Sequence, residues 1–541
     1  KNYRGWSAIS SRWVSYAPMS LEDHHKQMQR VNEIPSLAVL LPSLCSDEWW
    51  NLAILRLTSE VNSVTFQKGT AQFFKGLFQV YYDSFWSYLV PHVERLAKNY
   101  TEKGSQVLAA HIIAGLVRGS KHWPFEMIEK MWDFVIPLLE NVLEYSSSEN
   151  IGDWLMCVNF CVFDRDPRRL YRLRDSLFDA VRVKANQSAV LQAKRIQALT
   201  GLVSELSWRG VSIGDVLIDE LQDQLFVDRK LIRHALGGLS ATILSGSFDG
   251  MRNPKTNLPV LSGTLYMNPK IVAFVQRMIQ ELERTQTPTN SNSSDMSQED
   301  LQALRKEHTN CCKFILHFIL SCFQLYVAHT LLLYLPPLLP QLLAIRNEDT
   351  TVMNLLFTVI GYIANSELSS ELATEMLRVC YDLLASSSWH TRATILPFMQ
   401  VLVFKNIFIL GDQVPFIINS LISALVDPQL EVRDLASTSL AGVLTFVDDD
   451  DMILQLKEKF LAMASEELPG KTRKSGDPNF NAALLRRHGG VLGLAALARV
   501  HPYEIPAWLP DLLVSFATHI HDPMPIKVCI PPSLFLPGLT I

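Results

Sequence analysis

Cysteine is scarce in this chain: there are 8 in 541 residues, scattered, with no C-x-x-C pair. A structural zinc site would need two such pairs, so the thiols, Cys157 and Cys161 included, read as free in a reducing compartment. Charge of one sign is not in excess either. The 49 Lys and Arg against 54 Asp and Glu leave −5, which offers no global attraction to nucleic acid or to an anionic membrane. Any anion site must therefore be a local patch. Phosphate-loop, nucleophile-elbow, zincin and kinase motifs are all missing. The close histidine pairs, His24-His25 and His519-x-His521, lack a carboxylate constellation beyond Glu22 and Asp23, so no metal site is expected. An enzyme is not expected, nor a required cofactor. There is no initiator methionine and no charged-then-apolar signal segment, from which the chain is expected to be the C-terminal part of something longer.

Helical periodicity fills the space that these absences leave. The clearest stretch is Val414 to Val447. Ile418, Leu421, Ile422, Leu425 and Val426 form one 3.6-period face, and Leu435, Ala436, Leu440, Val443, Leu444 and Val447 form a second. Between them Asp427-Pro428 is expected to cap and start the second helix. Asp-Pro returns at Asp477-Pro478 and Asp522-Pro523, and a basic residue recurs at a similar phase in Arg392, Arg433, Arg487 and Lys527. Spacings of about 40 to 54 residues are those of HEAT or armadillo repeats. The expected fold is all-α, a HEAT/armadillo-like α-solenoid, a superhelix of antiparallel helix pairs in which each inter-helix turn is hydrogen-bonded to the next repeat. Its length of 541 residues and its 48% apolar content suit a one-dimensional core.

The expected organisation is HEAT-like repeats over 1–284, a polar disordered insert over 285–300, further repeats over 301–527 and a non-repeat tail over 528–541. Tryptophans 6, 13, 49 and 50 are read as an inter-helix packing layer rather than a peptide-binding surface. The apolar run 314–343 has the length of a membrane span, but His317, Gln324 and His329 interrupt it and no basic loop flanks it, so a buried helix is expected. Two segments are locally basic. In one, Arg165, Arg168, Arg169 and Arg172 follow an Asp-Pro helix start and could hold a polyanion such as an inositol phosphate, or form a solvated face with Asp164, Asp166, Asp175 and Asp179. The other is the loop carrying Lys471, Arg473, Lys474 and Arg487.

Three stretches, DPQLEVRDLASTSLAGVLTF, GDPNFNAALLRRHGGVLGLAALA and HPYEIPAWLPDLLVSFATHIHDPMPIK, resemble the C-terminal region of the proteasome activator complex subunit 4 family. The resemblance covers nearly the whole chain except its last fourteen residues. It implies a non-enzymatic regulator that caps the 20S core particle at its α-ring, independently of ATP and ubiquitin. It also implies links to acetylated-histone degradation, DNA repair and spermatogenesis, in nucleus and cytoplasm, with no direct nucleic-acid or membrane partner. Inositol-phosphate sites of the family favour the two basic segments. A bromodomain-like region near 380–470 is implied as well, where acetyl-lysine needs an amide donor beside an aromatic wall: Asn406 with Phe404, or Asn479 with Phe480. The family's gate-opening tail ends in hydrophobic-Tyr-any, and the Leu539-Thr540-Ile541 ending departs from it, so gate opening by this chain unaided is not expected. Read without the resemblance, the same features suit a HEAT-repeat interaction scaffold of the nuclear-transport type.

Overall fold

The structure is a computed structural model, and it describes residues 18–59, 65–147, 149–162, 170–182, 187–206, 211–249, 268–286, 297–325, 331–447, 449–468, 478–501, 505–523 and 526. Among these residues every regular element is helical. The chain divides into two compact units, Lys1–Leu331 and Leu332–Ile541.

The first unit opens with α1 (Leu21–Glu33) and then runs in pairs: α2 (Asp47–Ser59) with α3 (Lys68–Val80), α4 (Trp86–Lys98) with α5 (Lys103–Gly119), α6 (Phe125–Tyr145) with α7 (Ile151–Val162), α8 (Tyr171–Phe178) with α9 (Ala189–Leu206), α10 (Val211–Gln222) with α11 (Lys230–Asp249) and α12 (Pro269–Thr285) with α13 (Gln298–Gln324). The second helices α3, α5, α7, α9, α11 and α13 stack on one another in sequence as an inner layer, and the first helices lie across them as an outer one. Composition explains the difference between the layers. In α5 nearly every side chain from Ser105 to Val117 is buried, whereas α6 buries one stripe made by Met127, Met131, Val135, Leu139 and Val142. The outer helix α6 is amphipathic, and the inner helix α5 is apolar nearly all round.

In the second unit α14 (Leu339–Ala344) precedes α15 (Thr350–Ala364) and packs on the helices that follow it, and α16 (Ser370–Leu384) pairs with α17 (Trp389–Lys405), α19 (Val414–Ala424) with α20 (Leu430–Leu444) and α21 (Asp450–Ala464) with α22 (Pro478–Val500). A short α18 (Ile407–Leu410) joins α17 to α19, and α23 (Leu509–Ala517) follows α22. Here α15, α17, α20 and α22 form the stacked layer. Two glycines set its closest approach. A Cβ on Gly490 would lie 2.3 Å from the Ala464 backbone nitrogen, and one on Gly493 would lie 2.4 Å from the Phe460 ring, so α22 can seat on α21 only because these side chains are absent.

Each hairpin leaves carbonyls at the end of its first helix and in the turn that follows without regular helical donors. At several hairpins one side chain, the fourth residue of the second helix, donates to carbonyls of that end or turn. Gln106 donates to the carbonyls of Leu96, Ala97 and Asn99, and Gln192 to that of Arg182. Arg233 donates to Val227 and Asp228, Arg392 to Ser386 and Ser387, and Arg433 to Asp427 and Pro428. Gln106, Arg233, Arg392 and Arg433 also reach forward to the following repeat. Arg392 grips the Asp427 carboxylate through two hydrogen bonds of 2.7 and 3.0 Å. Arg433 donates to His488 Nδ1 at 2.9 Å, Arg233 to Asn310 at 3.3 Å, and Gln106 accepts from the Trp154 indole at 2.8 Å. Arg487 repeats the two-pronged grip on Asp522, at 2.8 and 2.7 Å, while also holding the Glu466 carbonyl.

Several expectations change in detail. Pro428 does not start α20, which begins at Leu430. The Asp427 carboxylate instead accepts the Gln429 N–H at 2.8 Å and is held by Arg392, which fixes a turn before the helix. In the expected insert at 285–300, residues 287–296 lie outside the described residues, but Gln298 to Asp300 already belong to α13. Ser297 accepts from the Asp300 N–H while Asp300 faces the serine hydroxyl, which is a helix-start arrangement. This insert sits within the first unit, and the division falls later, at Leu331/Leu332. The stretch 380–468 continues the helix pairing of the second unit. Trp50 packs as expected, fully buried with its indole N–H on the Leu44 carbonyl. From Phe314 to Ile319 the apolar run is buried within α13.

Two measurements test the turn-bracing role. Arg392→Ala strands Asp427 and two carbonyls in a half-buried site, and a loss of about 3 kcal/mol is expected from denaturant unfolding. Removing the exposed Arg378, which pairs with Glu375, is expected to cost under about 0.5 kcal/mol; equal losses for the two would dismiss the brace. The second concerns pH. Burial, and then the Arg433 charge, push the His488 imidazole down to about 4, so the folded chain holds it neutral while the unfolded chain protonates it near 6.5. Stability from this site is present above that value and is lost as pH falls from about 6.5 towards 4. His488→Gln keeps an acceptor and removes the titration. Its unfolding midpoint is expected to fall less steeply between pH 7 and 4.5 than that of the unchanged chain, and parallel curves would refute the assignment.

Candidate functional site

Of the residues expected to hold a polyanion, Arg165, Arg168, Arg169, Lys471, Arg473 and Lys474 lie outside the described residues. Two are described, and both are engaged inside the fold. Arg172, on α8, bridges Glu129 at 3.1 Å and Asp133 at 2.8 Å on α6, and the neighbouring Tyr171 hydroxyl donates to the same Glu129. The hydrogen bond that Arg172 donates to the Asp133 carboxylate raises the guanidinium pKa above its ordinary value. Arg487 is the brace to Asp522. Burial pushes the Asp522 carboxyl up, but hydrogen bonds from Arg487 and from His519 outweigh it and hold the carboxyl below its usual range. A phosphate would have to displace carboxylates already matched to each guanidinium, so neither arginine is an available anion ligand.

The acetyl-lysine reading of Asn406 is also corrected. Its Oδ1 accepts the Leu368 N–H at 2.9 Å, and its Nδ2 donates to the carbonyls of Ser366 at 3.1 Å and Leu402 at 2.9 Å. The side chain is buried and ties the turn before α16 to the end of α17, with no amide hydrogen left for a ligand. Asn479 starts α22, and its side chain lies outside the described residues. Phe480 is half-buried on the same helix.

Phe404 belongs to a larger feature that residue-by-residue reading did not find. It is exposed, and its ring lies 4.8 Å from that of Phe446 across the ends of α17 and α20. Phe408 on α18 is fully exposed at 100%, and Ile409 and Phe416 are exposed beside it on the α18–α19 connection. Asp412, Asp449, Asp450 and Asp451, in the same stretches of chain, are exposed as well. Four exposed large apolar side chains within Phe404–Phe416, with Phe446 packed on the first, exceed the scattered exposure of an ordinary surface and mark a candidate interaction face. The sequence signal was present in KNIFILGDQVPF, where apolar residues continue through a segment that carries no helical period. Ile407–Ala424 is long and apolar enough to resemble a membrane span, but the break at Gly411–Gln413 divides it into two helices.

Comparison with known proteins gives the face a context. Residues 36–201 match the family described as Proteasome activator complex subunit 4-like, HEAT repeat-like, and residues 484–531 match Proteasome activator complex subunit 4-like, C-terminal. The chain is 30% identical over 85% of its length to Proteasome activator complex subunit 4 of Homo sapiens, and 28% identical over 99% to subunit 4A of Danio rerio. It is 22% identical over 95% to the proteasome activator BLM10 of Saccharomyces cerevisiae. It spans 25%, 29% and 24% of those relatives' lengths respectively. Among solved structures, the crystal structure of Kap121p aligns with a TM-score of 0.36 at 13% identity, covering 93% of this chain and 48% of that one. The two family matches lie in different units, and the second contains Arg487, the close-packing Gly490 and Gly493, and Asp522. From the first repeats to the last brace, the chain is a relative of the proteasome activator complex subunit 4 family.

Proposed function

We propose that this chain serves as part of a non-catalytic activator that seats on the α-ring of the 20S proteasome, without ATP or ubiquitin. The pair of family matches carries this reading, together with similarity to proteasome activators over most of the chain. The exposed aromatic face of the second unit is its contact surface, because fully exposed Phe408 beside Phe404, Phe416 and Phe446 gains most from burial against a partner. Degradation of acetylated histones and roles in DNA repair and spermatogenesis, in nucleus and cytoplasm, belong to the proposal through the resemblance alone. The immobilised chain is expected to capture purified 20S particles, and Phe408→Asp with Phe416→Asp is expected to reduce capture at least about tenfold. Phe357→Asp, an exposed control on α15, is expected to leave it unchanged. Failure to capture 20S particles would overturn the reading; capture insensitive to the double substitution would move the contact elsewhere on the chain.

An inositol polyphosphate is proposed as a ligand of the two basic segments, resting on Arg165, Arg168 and Arg169 or on Lys471, Arg473 and Lys474. Arg172 and Arg487 take no part, since their guanidinium groups are matched by carboxylates. Inositol hexakisphosphate at low salt is expected to raise the melting temperature. Arg487→Ala is expected to lower the starting temperature while keeping the ligand-induced rise. Loss of the rise in Arg487→Ala alone would return that residue to the anion site.

A further inference from the structure

The outer layer of the first unit is not closed everywhere. Between α4 and α6 lies a cleft of about 520 Å³, lined by Ala97, Phe134, Pro137, Leu138, Val142 and the rings of Tyr100 and Tyr145, with Glu94, Lys98, Asp133 and Asn141 at its polar positions. The two tyrosine rings face each other at 6.3 Å, and Phe134 is held in place edge-on by Trp86 at 5.0 Å. This gives an apolar, aromatic-walled space where neighbouring repeats diverge.

Its polar groups are mixed: Lys98 stands beside Glu94, the Asp133 carboxylate is already held by Arg172, and the acceptors that remain are backbone and amide oxygens and the Glu94 carboxylate. Pro137 sits inside α6 and has no N–H, so the Asp133 carbonyl one turn earlier lacks its helical donor. Asn141 uses its Nδ2 on the Pro137 carbonyl at 2.9 Å, which leaves its Oδ1 to the cleft. Glu94 is paired with Lys98 at 3.6 Å, beyond hydrogen-bond distance, and both side chains are largely exposed. Such a pair is weak and opens readily. A ligand that fits must donate hydrogen bonds, favour the faces of electron-rich rings and tolerate a carboxylate. A plain hydrocarbon would leave these acceptors without donors, and an anion would meet only Lys98 against the Glu94 carboxylate.

We propose that this cleft binds the guanidinium of an arginine side chain from a partner polypeptide. A guanidinium is planar, stacks on tyrosine and phenylalanine faces, and spreads five N–H donors in a fork that suits the Glu94 carboxylate and leaves donors for a carbonyl such as that of Asp133. The cleft is several times larger than that group alone, so it has room for the aliphatic stem against Ala97, Leu138 and Val142 and for flanking residues. This site lies in the first unit and does not depend on the proteasome reading or on the aromatic face of the second.

The test uses the full 541-residue chain with labelled Ala, Leu and Val methyl groups, titrated with acetyl-arginine amide and with short capped peptides carrying one central arginine, lysine or citrulline. The arginine peptide is expected to perturb the methyls of Ala97, Leu138 and Val142 and to bind at least about fivefold more tightly than the citrulline peptide, which has the same shape without the charge. Tighter binding of the peptide than of acetyl-arginine amide assigns a polypeptide ligand; equal binding overturns that part and leaves a small guanidine. Tyr145→Ala and Glu94→Gln, both at exposed positions, are each expected to weaken the arginine peptide about fivefold, and Tyr145→Phe to retain it. Pro137→Ala, which restores a helical N–H to Asp133, is also expected to weaken it. Equal affinity for citrulline, shifts at other methyls, or no shift at millimolar peptide would each overturn the proposal.

Discussion

When a helical hairpin is stacked against its neighbours, carbonyls at the end of its first helix and in the turn that follows lie partly or wholly out of water with no helical donor to bond them. Each such group left unpaired and buried costs about 1–3 kcal/mol, and a domain has only about 5–15 kcal/mol in all. The fourth residue of the second helix answers this at Gln106, Gln192, Arg233, Arg392 and Arg433, and at Gln106, Arg233, Arg392 and Arg433 it also reaches the following repeat. One side chain thereby sets both the hairpin angle and the register of stacking.

The acceptor that meets each brace varies with burial. Where the pair is partly open, as at Arg392 and Arg487, the acceptor is an ionised aspartate gripped by two hydrogen bonds. Where the arginine is itself buried, as at Arg233 and Arg433, it also donates to a neutral side chain of the following repeat, Asn310 or His488. Deeper still, Gln106 carries no charge, and its oxygen takes the Trp154 indole. His488 is thus neutral as a structural requirement, and its low proton affinity follows from the node it occupies.

How much of this could be read in the sequence depends on the distance over which the controlling interaction acts. Helix pairing was legible because 3.6-period faces and Asp-Pro turns are local patterns. So was the ladder of Arg392, Arg433 and Arg487, because a repeat displays the same residue again and again. The neutral members were not legible, since nothing local distinguishes Gln106 or Asn310 from a solvated side chain. Arg487 was read both as a ladder residue and as an anion candidate, and its partner Asp522, 35 residues away, is visible only in the fold. Asn406 looked like an amide donor beside Phe404, and only the fold shows its hydrogens committed to Ser366 and Leu402. Phe404 itself was singled out, but as a pocket wall rather than as one edge of an exposed face, because exposure depends on Phe446 and Phe408 arriving at the same connection.

The two layers of the first unit are held by different forces, and this difference decides where ligands can enter. The inner helices are fixed by buried apolar packing, in which α5 is closed nearly all round. The outer helices of neighbouring repeats are joined largely by ion pairs at or near the surface: Arg172 to Glu129 and Asp133, Arg182 to Glu220, and Lys270 to Asp219. Such pairs hold helices at arm's length and contribute little each, so they tolerate gaps that apolar packing would close. Along α4 and α6 no such pair appears among the described residues, and the aromatic-walled cleft opens there. An outer layer of this kind can be wedged without disturbing the inner one, because the braces that set the stacking sit on the second helices.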